Sequence, residues 1–209
     1  MTPDDARAAL VRSLERAGIR DRRVLDAIGR VPRERFVPEH LASEAYADRT
    51  LPIGEGQTIS QPYVVARMTE LLDPQPGDHV LEVGGGSGYQ AAILALLAGD
   101  VVTVERHAGL AAVAAARLAD LGYGNVRVVH ADASSGFAEA APYDRILIAA
   151  AAPSIHPDLA AQCAPDGRIV APIGPRDAQS LTVQHGDGRV ERAGPVQFVP
   201  LVGSGGFPE

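Results

Sequence analysis

Glu82, Gly84, Gly86 and Gly88 alternate through the segment VLEVGGGSGYQAA, with Ser87 inside the turn. Glycines at this spacing, after a strand and before a helix, allow a tight turn and let a ligand approach the backbone closely. The helix that follows opens with free N–H groups. Two acidic residues lie downstream. Glu105 ends the apolar run VVTVE, where a carboxylate can accept both ribose hydroxyls of an adenosine. Asp132 follows VRVVH at the same sheet edge, where it can accept a bond from an adenine amino group or merely cap a turn. Upstream, GQTISQPY places Thr58 and Ser60 before an apolar-periodic stretch. Ser60 stands where an N-cap would, before a helix running from Gln61 with Pro62 in its first turn. The same helix end favours an anion, so the Ser60 hydroxyl can equally hold a substrate carboxylate. Spacing alone leaves both roles open.

The turn also satisfies the dinucleotide fingerprint, so it does not by itself separate NAD from S-adenosylmethionine. The two ligands differ in charge. NAD would lay a pyrophosphate over the helix start, and Glu82 is badly placed beside one. S-adenosylmethionine carries a zwitterionic amino acid and a sulfonium, and Glu82 can help anchor that end.

These groups need elements to position them. Leu10, Val11, Leu14 and Ala17 fall at helical spacing, and DRRVLDAIGRV predicts a second helix stopped by Pro32. The stretch up to Gln57 is rich in Pro, Gly and charge and reads as an irregular connection with one short helix. Val64, Val65, Met68, Leu71 and Leu72 line one face of the helix after Ser60. From His79 onward strands alternate with helices: HVLEV, YQAAILALLA, VVTVE, LAAVAAARLADLG, VRVVH, DRILIAA, HPDLAAQCA, RIVAPIG. Apolar strands alternating with helices predict an α/β fold with a mostly parallel sheet covered on both faces. The GDG at 186–188 between two extended runs predicts an antiparallel hairpin at the end. The chain reads as a single domain, 1–209, in which 1–75 is a helical and loop appendage contributing to the substrate site and 76–209 is the cofactor-binding α/β unit.

Composition narrows the class. The chain has 209 residues, a net charge of -7 and 46% hydrophobic residues, which suits a globular protein and argues against a general grip on nucleic-acid phosphates. The charged N-terminus has no apolar core of a signal peptide, and no run is long enough to span a membrane. The lone Cys163 fits a reducing compartment and reads as a buried structural thiol. The six histidines have no close ligand spacing, so no metal is expected. A cytoplasmic protein is the expectation.

The segments VPRERFVP, AYADRTLPIGEGQTISQPYVVARMTELL, VLEVGGGSGYQAA, APYDRILIAAAA, DGRIVAPIG and VQFVPL together resemble the bacterial protein-L-isoaspartate O-methyltransferases, from about Gly18 to Gly206. GQTISQPY is the specific segment; the glycine turn is shared with many methyltransferases. The resemblance implies a Rossmann-like fold and methyl transfer from S-adenosyl-L-methionine, leaving S-adenosyl-L-homocysteine. The acceptor would be the α-carboxylate of L-isoaspartyl residues in damaged proteins and peptides, whose ester closes to a succinimide. It implies Ser60 as the catalytic residue. Gln57, Thr58, Ile59, Glu82, Gly84, Gly86, Ser87, Gly88, Glu105, Asp132 and Ala133 would hold the cofactor. Isoaspartyl proteins would be the partners of a monomer, with no nucleic acid and no membrane. Two departures stand out. The family usually carries Thr or Ser where this chain has Gly85, and G-D-G where it has Ala131, Asp132 and Ala133. Two other readings stay open: a related carboxyl methyltransferase with a dedicated peptide or small-molecule substrate, and a non-catalytic module that binds an adenosine ligand.

Overall fold

The computed structural model describes residues 2–208. Helix α1 (Pro3–Arg16) starts at Thr2, whose side chain accepts the Asp5 N–H while the Asp5 carboxylate accepts the Thr2 N–H. This reciprocal cap satisfies two helix-end donors. Helix α2 (Arg22–Arg30) is capped by Asp21 and ends at Val31, before Pro32. The buried faces of these two helices, Leu10, Leu14, Val24, Leu25 and Ile28, join one core cluster with Val80, Leu94 and Leu147 of the α/β region.

The connection to the next helix holds more order than its composition suggests. Two short 3-10 turns, Arg33–Phe36 and Glu39–Glu44, are followed by a small antiparallel hairpin of β1 (Leu51–Gly54) and β2 (Gln57–Ile59). Its tip is Gly54, Glu55 and Gly56, all with positive φ. The glycines meet that demand freely; Glu55 does not, which hides the turn from a composition reading.

Helix α3 (Pro62–Leu72) starts one residue later than expected, with Gln61 as the half-in residue. Ser60 is therefore not its cap. The helix end is served by Asp48, whose carboxylate accepts the Tyr63 N–H at 2.8 Å and the Gln61 side-chain amide at 3.0 Å. An anion from the chain itself already occupies the terminus that was expected to favour a substrate anion.

The seven-stranded sheet contains β3 (His79–Val83), β4 (Asp100–Glu105), β5 (Val126–His130), β6 (Tyr143–Ile148), β7 (Cys163–Ile173), β8 (Gln179–His185) and β9 (Val190–Val196). Its order is β5-β4-β3-β6-β7-β8-β9. The pairs from β5 to β7 are parallel, and β7, β8 and β9 pair antiparallel. Helices α4 (Tyr89–Ala95) and α5 (Ala108–Asp120) connect the early strands. Val80 joins the core cluster on one face of the sheet, and Leu81 and Val83 join the cluster on the other. The helix expected over HPDLAAQCA is a single turn, α6 (Pro157–Ala160). Cys163 opens β7 instead. Pro165 cannot donate to a helical ladder, and it biases Ala164 toward extended backbone, so the helix cannot run on.

The capping geometry makes a prediction. Asp48→Ala should lower stability by about 1 kcal/mol, the usual worth of an N-cap. Ser60→Ala should leave the thermal midpoint of the ligand-free protein unchanged, and thermal unfolding of both variants checks this.

Candidate active site

Strand β3 is the point where the sheet order reverses, with β4 on one side and β6 on the other. In open α/β sheets the crevice at such a point, at the carboxyl ends of the strands, is where ligands bind. The glycine turn leaves β3 there. Gly84 and Gly86 have φ of 89° and 52°, a region that suits glycine. Gly88, with φ of 87°, faces no cavity. A side chain there would press on Leu118 and Ala114 of α5, so its role is close helix packing.

Two hollows meet at Gly84. The first, of about 420 Å³, is lined by Thr58, Ile59, Ser60, Glu82, Gly86 and Ser87 among others. The second, of about 660 Å³, is lined by Gln57, Glu105, Asp132 and Ala133, and is closed by Val199 to Val202 from late in the chain. Together they gather every proposed cofactor residue except Gly88. Ser60 and Thr58 also line an open groove with Tyr63, Pro195, Gln197 and Phe198.

Glu105 is buried rather than solvated at its strand end. Its Oε2 accepts the Gly86 N–H at 2.8 Å and its Oε1 accepts the His107 N–H at 2.9 Å. A carboxylate has about four lone-pair sites, so it can brace the turn and still accept ribose hydroxyls. Asp132 is also engaged. Burial raises its carboxyl, but N–H bonds from Ser134 at 2.8 Å and Ser204 at 3.2 Å outweigh that and hold it below the ordinary carboxylate range. Ala133 does not have a positive φ, so the alanine that replaces a family glycine is not strained.

Glu82 is fully buried at the end of β3. Its Oε2 accepts the Thr103 hydroxyl at 2.5 Å, while Oε1 has no partner. Burial, partly opposed by Thr103 and reinforced by the charge of Glu105, pushes its carboxyl up to about 8. An unpaired buried acceptor lining a hollow suits a cationic ligand group.

Ser60 is held through its backbone. The fully buried Arg33 donates to the carbonyls of Ser60 and Ala45, both at 2.8 Å, and its guanidinium lies 4.7 Å over the Tyr89 ring. The hydroxyl makes no hydrogen bond among the described residues and is left for a ligand. Sequence reasoning missed Arg33, Thr103 and the 199–202 wall. Thr103 left a signal, as the one polar residue inside an apolar strand. Arg33 and most of the wall fall in VPRERFVP and VQFVPL, two of the segments that carry the family resemblance, but nothing in their composition or periodicity tells what they touch.

The fold and the paired hollows define a nucleoside-cofactor-binding α/β protein of the methyltransferase class. The family model for protein-L-isoaspartate(D-aspartate) O-methyltransferase (PCMT) matches residues 5–206. A protein-L-isoaspartate O-methyltransferase of Anaeromyxobacter dehalogenans is 56% identical over 190 residues, 88% of this chain and 91% of that one. One from Methanoregula boonei is 51% identical over 207 residues, 98% and 95% of the two chains. A solved protein-L-isoaspartate O-methyltransferase superposes with a TM-score of 0.84 at 27% identity, covering 95% of this chain and 66% of that one. A structure from Plasmodium falciparum described by the same activity, in complex with S-adenosyl-L-homocysteine, gives 0.78 at 25% identity over 92% and 96%. The chain belongs to the protein-L-isoaspartate(D-aspartate) O-methyltransferase family.

Two outcomes follow from the site. Glu105→Ala removes charged acceptors, each bond worth about 1.5–3 kcal/mol, so S-adenosylhomocysteine affinity by calorimetry should fall at least about tenfold. Glu82 ionises near 4.5 in the unfolded chain and near 8 when folded. Its contribution to stability is whole below the lower value and is lost as pH rises through the upper one, at about 1.4 kcal/mol per pH unit. Ligand-free Glu82→Gln should therefore lose less thermal stability than wild type between pH 5 and pH 8.

Proposed function

We propose that this chain methylates the α-carboxylate of L-isoaspartyl residues in damaged proteins and peptides, with S-adenosyl-L-methionine as donor, and so starts their return through a succinimide. The reading rests on family membership and on one observation of the site. Ser60 lies where the hollow beside the glycine turn meets an open groove. A donor held on one side and a peptide laid along the other would meet at its hydroxyl.

The residues present fit the donor. Glu82 offers an unpaired buried oxygen to a cationic amino-acid end, while Glu105 and Asp132 offer carboxylates to a nucleoside. When bound, S-adenosylmethionine supplies an electrophilic methyl group. The acceptor carboxylate is ionised at neutral pH and needs no general base. The work of the chain is to align and to exclude water. Arg33 fixes the Ser60 backbone, and the Ser60 hydroxyl can then hold one acceptor oxygen by a hydrogen bond. Asp48 already fills the end of α3, so that helix end does not supply the grip. The hairpin β1–β2 covers the turn, with Ile53 against Gly86.

No helix among the described residues is long and apolar enough to cross a membrane. The same proposal has the chain act as a cytoplasmic monomer, with isoaspartyl proteins as its partners and no nucleic acid.

A radiolabelled transfer assay should label an isoaspartyl peptide and leave its aspartyl twin unlabelled. Label on both, or on neither, ends the reading. Ser60→Ala should lose at least about tenfold in kcat/KM for the peptide, as expected when a bond to a charged group is removed. It should bind S-adenosylhomocysteine like wild type, and wild-type kcat/KM in that variant would remove Ser60 from the site.

A further inference from the structure

Glu82 and Thr103 are direct neighbours across β3 and β4. Both are fully buried, and their side chains share the sheet face that carries Val80 and Val101. The hydroxyl donates to Glu82 Oε2 at 2.5 Å and leaves Oε1 without a partner beside the glycine turn. The same hydroxyl occupies a second place. A Cβ built on Gly85 would overlap Thr103 Oγ1, while its next contacts, Thr103 Cβ at 3.6 Å and Glu105 Cβ at 3.8 Å, are ordinary. One oxygen atom therefore decides both that position 85 has no side chain and which Glu82 oxygen remains open.

We propose that Thr103 is the positioning residue for the cofactor's amino-acid end: lodged in the space left by Gly85, its hydroxyl aims the free oxygen of Glu82 at the cationic group. The inference rests on the reading that the hollow binds S-adenosylmethionine and its product. It adds a residue from β4, outside the glycine turn, and gives a physical reason for the missing side chain at position 85. The hydroxyl on the neighbouring strand overlaps the place that a Cβ at position 85 would take.

The test compares two probes by calorimetry. S-adenosylhomocysteine carries the amino-acid end, and adenosine lacks it. Thr103→Val keeps shape and removes the hydroxyl. It should weaken S-adenosylhomocysteine by about tenfold, the scale of a lost bond to a charged group, and leave adenosine unchanged. Thr103→Ser should restore the affinity. Gly85→Ser alone should weaken binding through crowding, whereas Gly85→Ser with Thr103→Ala should recover affinity relative to Thr103→Ala, because the hydroxyl returns from the turn. If the valine variant does not fold, that last comparison carries the test. Equal S-adenosylhomocysteine affinity in wild type and Thr103→Val, equal losses for both probes, or no recovery in the swap overturns the role of Thr103 while the cofactor reading stands. Wild-type protein that binds neither probe overturns the cofactor reading and this inference with it.

Discussion

A carboxyl group near the end of β3, an interior strand of the sheet, has to be kept in a place where water does not reach it. Glu82 lies between two parallel neighbours, β4 and β6, in a sheet whose faces are both covered. Ionising it there is costly, and one hydroxyl does not neutralise it. The surrounding features read as answers to that constraint. Thr103 satisfies one oxygen, the turn leaves room for the hydroxyl at Gly85, and the second oxygen waits beside a hollow. The free protein holds a group better suited to a bound cation than to its own interior. Part of the stability of the fold is thus exchanged for affinity.

Arg33 is the corresponding cation on the other side of the site. It is buried without a carboxylate within ion-pair reach among the described residues, and is offset by two carbonyls and an aromatic face. Those contacts tie three pieces of chain together: the loop at Ala45, the segment before α3 at Ser60, and the first residue of α4 at Tyr89. The N-terminal region is thereby fastened to the helix that follows the glycine turn. A shift in one moves the position of the Ser60 hydroxyl relative to the cofactor hollow.

Much of this was legible in the sequence. The alternation of apolar strands and helices from His79 onward is the α/β sheet, and the GDG turn is the final antiparallel pair. Period and turn chemistry are local properties, and they survive folding. Glu82, Gly84, Gly86, Glu105 and Asp132 do meet at one sheet edge, because every parallel strand delivers its carboxyl end there. What could not be read was non-local. Asp48 caps α3 across a hairpin, which removes one of the two roles that spacing left open for Ser60. Arg33 and the 199–202 wall approach from regions with no periodic signal. The short helix over HPDLAAQCA keeps only its first turn, because Pro165 cannot extend it and the chain passes into β7 at Cys163.

The wall of the larger hollow is built by the last part of the chain. Leu201 N–H bonds Ala151, Ser204 N–H bonds Asp132, and Gly205 N–H bonds the Ser134 hydroxyl. A chain cut before Val199 would keep the glycine turn of residues 84–88 but would lack the wall that closes the nucleoside side of the cleft. Retention of a cofactor therefore depends on a segment remote in sequence from the turn that cradles it.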